Sequence, residues 1–390
     1  LNPADGGFIM AKNILILGGG TGGSIVANIL ARSLSPQDAS ITVISASPQH
    51  IYQPYQLYIP FGYQDPRKIA RSERSLLHRR VSLVVDPVEE LDVKNQTVVC
   101  RSHKSYPYDY LVIATGSTVD EQQIPGFKEG ADHFYTPEAA FALYEKLQNF
   151  NGGTIVVGIG GLPYKCPVAP IEFTFMLEEF LTKKGIRQQS EIIYTFPLND
   201  VFNIKTAADY IKADFDKRNI KTELFFNLAE IHPEKKTAES IEGTELSYDL
   251  LVMTPPHKGA PFLRGHEIAD ADGWIQTDRH SLKVAQLENV WSLGDTTNLP
   301  ISKAGSTAHF QAPVIAKQIC SAIRKETVDP EKVKYNGHVA CFIESGYGKA
   351  TMLDFDYEHP PQPPPPTEFI HFQKLALNKF YWYLIPKALI

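Results

Sequence analysis

The sequence predicts an α/β fold of two Rossmann-like dinucleotide-binding domains, the second inserted into the first, with an amphipathic helix at the C-terminal end. Three features predict it. An apolar strand runs into Gly18-x-Gly20-x-x-Gly23 and then into a helix with small residues on one face. A second apolar strand, Thr154 to Val157, runs into Gly158-x-Gly160, but Pro163 stands where a third glycine belongs. Prolines at 360, 361 and 363–366 then separate this body from a final stretch rich in Phe, Tyr, Trp, Leu and Lys.

With 390 residues the chain is long enough to bury two cores. A formal net charge of −6 gives no reason to expect nucleic acid as a partner. Four cysteines, Cys100, Cys166, Cys320 and Cys341, do not make a disulfide scaffold in a chain this long, so a special thiol is expected to be catalytic. Residues 1–9, ahead of Met10, read as an expression remnant, and the strand that follows at once leaves no visible secretory signal. No apolar run approaches the roughly eighteen residues a spanning helix needs. No metal-ligating set is expected.

In the first turn Gly18 permits the tight bend, Gly20 lets backbone approach a pyrophosphate, and Gly23 lets the helix pack on the strand. The helix N-terminus then faces the phosphates. The next strand, "ASITVISAS", ends at Ser45, where an NAD enzyme would carry an acid for the ribose; this weakens NAD and leaves FAD open. Two later strands end in Thr115-Gly116 ("YDYLVIATGS") and Gly294-Asp295 ("LENVWSLGDTTNLP"). Together the three segments resemble the FAD-contacting segments of the two-dinucleotide-domain flavoproteins. The resemblance implies FAD held by Gly18, Gly20, Gly23, Ser45, Thr115, Gly116, Gly294 and Asp295, the last on the ribityl chain. The FAD domain is expected at 10–150 and 259–358.

The insertion at 151–258 has the strands and helix of a second such unit, but its phosphate turn is degenerate. Pro163 has no N–H to offer a phosphate, and Tyr164 and Lys165 crowd the space beyond it. A good nicotinamide site is therefore not expected. Cys166 follows directly, and a thiol beside a flavin suggests a sulfur donor, because thiolates exchange sulfur and attack the ring. A second sulfur is needed, and Cys341, in a strand-like stretch, is the candidate. Cys100 and Cys320 are most simply core or surface thiols.

At these residues the chain resembles the sulfide:quinone oxidoreductases. The matching stretches are "GGGTGGSIVA", "HIYQPYQLYIPFG", "YKCPVAP", "VMTPP", "GWIQTD", "GDTTNLPISKAG" and "ACFIESGYGKATMLDFDY". The resemblance implies that sulfide is oxidised at a bridged Cys166–Cys341 pair on one flavin face and that FAD passes two electrons to a membrane quinone on the other. It implies a proton-handling role for Glu172, whose alternative is a solvated residue at a helix start. Lys303 matches a lysine near the flavin's pyrimidine end, where positive charge favours the reduced, anionic ring. Phe342, with Tyr347 and Phe380, matches the quinone side. Tyr135-Thr136 stand where some members carry a third cysteine, which fits the two-cysteine branch. The alternatives are a type-II NADH:quinone oxidoreductase, a haem-linked sulfide dehydrogenase subunit, and a non-catalytic flavin scaffold.

The prolines of 359–367 make an extended linker. In 368–390, Phe369, Phe372, Leu375 and Leu377 fall near one helical face, followed by an aromatic block, Phe380 to Tyr383, with Lys374, Lys379 and Lys387 around it. Such a helix can lie in the headgroup layer, making this a peripheral membrane protein. The alternative is a helix docked on the protein's own body or in a dimer, and a homo-oligomer is left open.

Overall fold

The computed structural model describes residues 11–390, and the expected expression remnant at 1–9 lies outside the described residues. In chain order the principal elements begin with strand β1 (Lys12–Leu17), helix α1 (Thr21–Ser33), β2 (Ala39–Ser45), β3 (Val81–Val85) and β4 (Tyr110–Ile113). Next come β5 (Gly153–Ile159), α2 (Ala169–Lys183), β6 (Ser190–Phe196), α3 (Lys205–Lys217), β7 (Ile220–Leu224) and β8 (Leu250–Thr254). The chain closes with β9 (Val290–Ser292), α4 (Gly305–Arg324), the hairpin β10 (Val339–Glu344) and β11 (Ala350–Phe355), and α5 (Glu368–Leu384).

Two Rossmann-like sheets result, each wholly parallel. The first runs β9-β4-β1-β2-β3 and the second β7-β6-β5-β8. Their central strands are unbroken apolar runs such as Ile14 to Leu17 and Ile155 to Val157, because helices and loops cover both faces. On one side of the first sheet, Ile25, Val26 and Leu30 of α1 share a core with Ile315 and Ile319 of α4. In the second unit, Ile171, Phe173, Phe175 and Leu177 of α2 pack among Ile155, Val157, Ile192 and Tyr194. The three glycine segments of the first unit leave the C-terminal ends of neighbouring strands β1, β4 and β9, the edge of an open α/β sheet where ligands bind.

Helix α5 starts at Thr367, whose hydroxyl accepts from the Ile370 N–H at 3.1 Å. It docks on the body through Lys374, Asn378, Tyr381 and Trp382, spaced i, i+4, i+7 and i+8. The Tyr52 hydroxyl donates to Asn378 Oδ1 at 2.6 Å, and the Tyr381 hydroxyl meets Thr21 Oγ1 and His50 Nε2, each at 2.7 Å. Beyond the helix, Asn28 Nδ2 donates to the Pro386 carbonyl at 2.7 Å. The opposite face exposes Phe369 (68%), Phe372 (65%), Leu375, Phe380 and Tyr383. The inward face thus carries Lys374 and Asn378 beside the Tyr381 and Trp382 rings, while most of the helix's apolar side chains face outward. This corrects one expectation: Lys374, Tyr381 and Trp382 do not face the headgroup layer. Carboxylates beneath the helix draw Lys374 inward, and the two rings cover Tyr52 and His50.

Candidate active site

The first glycine turn has the geometry of a dinucleotide cradle. Gly18 sits at φ +105°, and a Cβ there would lie 2.3 Å from the Ala114 carbonyl oxygen. A Cβ on Gly23 would lie 2.0 Å from the Gly18 oxygen, so helix and strand close only on glycine. Gly20, by contrast, would meet nothing within 4 Å, and neither would Gly116 at φ +66°. These two open positions, with the uncapped N-terminus of α1 between them, leave room and donors for a pyrophosphate. Ser45 is buried at the end of β2, its Oγ 3.0 Å from where a Gly19 Cβ would be. The Thr115 and Thr296 hydroxyls meet at 3.2 Å, and Gln311 Oε1 accepts from the Gly294 N–H at 2.7 Å, which holds the Gly294-Asp295 turn in place. The Asp295 carboxylate has no hydrogen-bond donor among the described residues. Burial raises it, with Lys165 and then Lys303 opposing. These residues fit FAD.

The second turn does not repeat this. A Cβ on Gly158 would meet Thr195 Oγ1 at 1.8 Å, on Gly160 the Thr254 oxygen at 2.9 Å, and on Gly161 the Pro256 ring at 3.1 Å. Its glycines are packed against the chain itself. The N–H groups that open α2 are also taken: Ala169 donates to the Cys166 carbonyl at 2.9 Å, and Ile171 and Glu172 donate to that of Val168 at 3.1 and 3.0 Å. The open glycine positions and free helix N-terminus of the first turn have no counterpart here.

Cys166 follows this closed turn, just ahead of α2. Its backbone is left-handed at φ +53°, and its N–H donates to the Lys303 carbonyl at 2.6 Å, fastening the turn to the first unit. The hairpin brings Cys341 to it: both half-buried side chains pack on the same apolar cluster, and both are free thiols. Burial pushes each thiol up, Cys341 to about 11, with the Glu172 charge adding to both. Ser306 Oγ lies 4.0 Å from Cys341 Sγ.

Glu172 is buried, not solvated. At 3% exposed it accepts from the Glu344 N–H at 2.8 Å and pairs with Lys374, itself 6% exposed. Burial pushes Glu172 above the usual carboxylate range while the ammonium opposes. Glu344 lies 3.9 Å from Lys374, accepts from the Tyr58 hydroxyl at 2.7 Å and meets His371 Nδ1 at 2.9 Å. His371 is partly open to solvent, so Glu172, Lys374, Glu344 and His371 form a continuous polar chain from the thiols to the surface. Of these, only Glu172 was marked by the sequence. Tyr58 and Glu344 lay in matched stretches and Lys374 was read as part of a membrane-facing helix, but none was marked as a partner of Glu172, and His371 carried no local signal.

Lys303 donates to the carbonyls of Asp295 and Thr297 at 2.9 and 2.6 Å. Phe342 and Glu344 occupy alternate positions of β10, so they share the face that α5 covers, opposite Cys341. Phe380 points outward from α5. Tyr347 is not brought to this group. Its hydroxyl donates to Glu178 at 3.1 Å, and its ring lies against Arg218.

The family described as pyridine nucleotide-disulphide oxidoreductase matches residues 12–312. The chain is 28% identical over 370 residues to the mitochondrial sulfide:quinone oxidoreductase of Mus musculus, covering 91% of this chain and 81% of that protein. It is 26% identical over 354 residues to the mitochondrial sulfide:quinone oxidoreductase of Dictyostelium discoideum, covering 88% and 77%. The X-ray structure of the sulfide:quinone oxidoreductase from Aquifex aeolicus aligns with a TM-score of 0.83 at 24% identity, over 97% of this chain and 92% of that one, and shares its fold.

Proposed function

The chain belongs to the pyridine nucleotide-disulphide oxidoreductase family, and within it we propose that this protein is a sulfide:quinone oxidoreductase. The observation that carries the proposal is that Cys166, just beyond the closed second turn, and Cys341 pack on one apolar cluster within electrostatic reach of each other and of the buried Glu172. Gly18, Gly20, Gly23, Ser45, Thr115, Gly116, Gly294 and Asp295 would hold FAD, which would supply a two-electron carrier between the thiols and a quinone.

In the oxidised enzyme a sulfur bridge joins Cys166 and Cys341. Hydrosulfide attack breaks one S–S bond and forms another, leaving one cysteine as a persulfide and the other as a thiolate. Re-forming the bridge with the added sulfur releases two electrons and one proton. A second hydrosulfide, or another thiolate acceptor, then attacks the bridge and carries the added sulfur away as polysulfide or sulfane sulfur, leaving the original bridge. Glu172 stands beside both thiols with its charge set by Lys374, and passes protons through Glu344 and His371. In this reading Phe342, on the α5 side of the hairpin, lines the quinone site. The apolar outer face of α5, including Phe380, attaches the enzyme to the membrane surface where quinone resides, and no described helix is long and apolar enough to cross it.

A type-II NADH:quinone oxidoreductase needs a second open glycine turn, and the contacts of Gly158, Gly160 and Gly161 leave none. Anaerobic addition of sulfide to the FAD-loaded protein should bleach the flavin band, and NADH should not. The reverse result would assign the NADH activity instead.

A further inference from the structure

Two lysines flank the Asp295 carboxylate, and they are differently placed. Both are buried, Lys165 at 9% and Lys303 at 7% exposed. Lys303 is held within its own loop by the Asp295 and Thr297 carbonyls, and its ammonium lies over Trp274, 4.0 Å from the ring centroid. Lys165 has no hydrogen-bond acceptor and no ion-pair partner among the described residues. Its head is in electrostatic reach of both Asp295, assigned to the ribityl chain, and Cys166. The backbone fixes this arrangement, since Lys165 pairs with Lys303 in a parallel bridge and the Cys166 N–H donates to the Lys303 carbonyl at 2.6 Å. An unpartnered buried ammonium is costly, and the cost is relieved when a bound group completes it.

We propose that Lys165 is the cation that meets the flavin, donating to the pyrimidine edge of the ring and stabilising the negative charge left there by two electrons and one proton. Lys303, whose match suggested that role, holds the Asp295 loop instead. The proposal rests on the FAD assignment made above. Around Lys165, Asp295 and Cys166 favour its charge. His133 and His257, which also act on it, are both held below the ordinary imidazole range, chiefly by burial.

The test is a mediated dithionite titration of the FAD-loaded protein, without sulfide. Lys165→Met should lower the two-electron midpoint by a tenfold or greater loss in the reduction equilibrium, about 30 mV, and Lys165→Arg should restore most of it. Lys303→Met should move the equilibrium less than threefold and weaken FAD retention instead. In the unmodified protein the midpoint should follow pH as one proton per two electrons. An unchanged midpoint in Lys165→Met, a tenfold loss confined to Lys303→Met, or a slope of two protons per two electrons would each overturn the proposal. Should Lys165→Met not hold FAD, the Lys303→Met midpoint and the native slope decide it alone. Sulfide takes no part in the titration, so a protein inert to sulfide would defeat the sulfide assignment and leave this one standing.

Discussion

Lys374 of the C-terminal helix pairs with the buried carboxylate of Glu172, 202 positions away in the chain. The contact joins the C-terminal helix to the carboxylate whose charge acts on Cys166 and Cys341, so α5 is part of the candidate site's electrostatics as well as its cover.

Removing one partner of this pair strands a buried charge. Lys374→Met should therefore destabilise the protein by about 3–5 kcal/mol, and the double variant Glu172→Gln/Lys374→Met should recover much of the loss. Denaturant unfolding of the two single variants and the double one measures this. Additive losses would show that the ion pair is not coupled.

The exposed aromatic residues of α5 already face solvent, so removing them should cost no folding stability. Replacing Phe369, Phe372 and Phe380 with serine should lower partitioning onto phosphatidylcholine vesicles by roughly tenfold per ring, with thermal stability unchanged. Undiminished binding would place the membrane contact elsewhere.

Burial holds the Cys341 thiol at about 11 against an ordinary 9.0. In a Cys166→Ser background, iodoacetamide labelling of Cys341 should be slow at pH 7 and rise about tenfold per pH unit to pH 10. The unfolded thiol loses its proton first, so this group's contribution is intact below pH 9 and is lost as pH rises toward 11, by at most about 1.4 kcal/mol per unit. A labelling rate that levels off below pH 9 contradicts the burial.

His257 donates from Nδ1 to the Pro255 carbonyl at 2.8 Å and leaves Nε2 buried without a donor. Burial, then the Lys165 charge, holds it down to about 3. Below pH 6.5 the unfolded chain takes up a proton that the folded one refuses, so stability falls as pH drops from 6.5 toward 3. His257→Gln should flatten that fall in pH-dependent unfolding. Parallel curves for the two proteins would contradict the assignment.

The glycine turns were legible because strand, turn and helix are adjacent in the chain and their requirements are steric. Gly18, Gly20 and Gly23 each do what local geometry demands. The loss of the second turn was legible for the same reason, through Pro163. The period of α5 was visible too, but not which face turns inward, because the carboxylates that draw Lys374 down come from α2 and β10. Glu172 looked the same as a solvated residue until its distant partner was in place. Lys165 read only as bulk, since its lack of a partner is a property of the folded site.

If sulfide delivers its electrons through the Cys166–Cys341 pair, an anaerobic sulfide titration of FAD-loaded Cys166→Ser reveals it. The variant should keep its yellow, bound flavin and show no bleaching at sulfide levels that fully reduce the unmodified protein. Bleaching at an undiminished rate would contradict it.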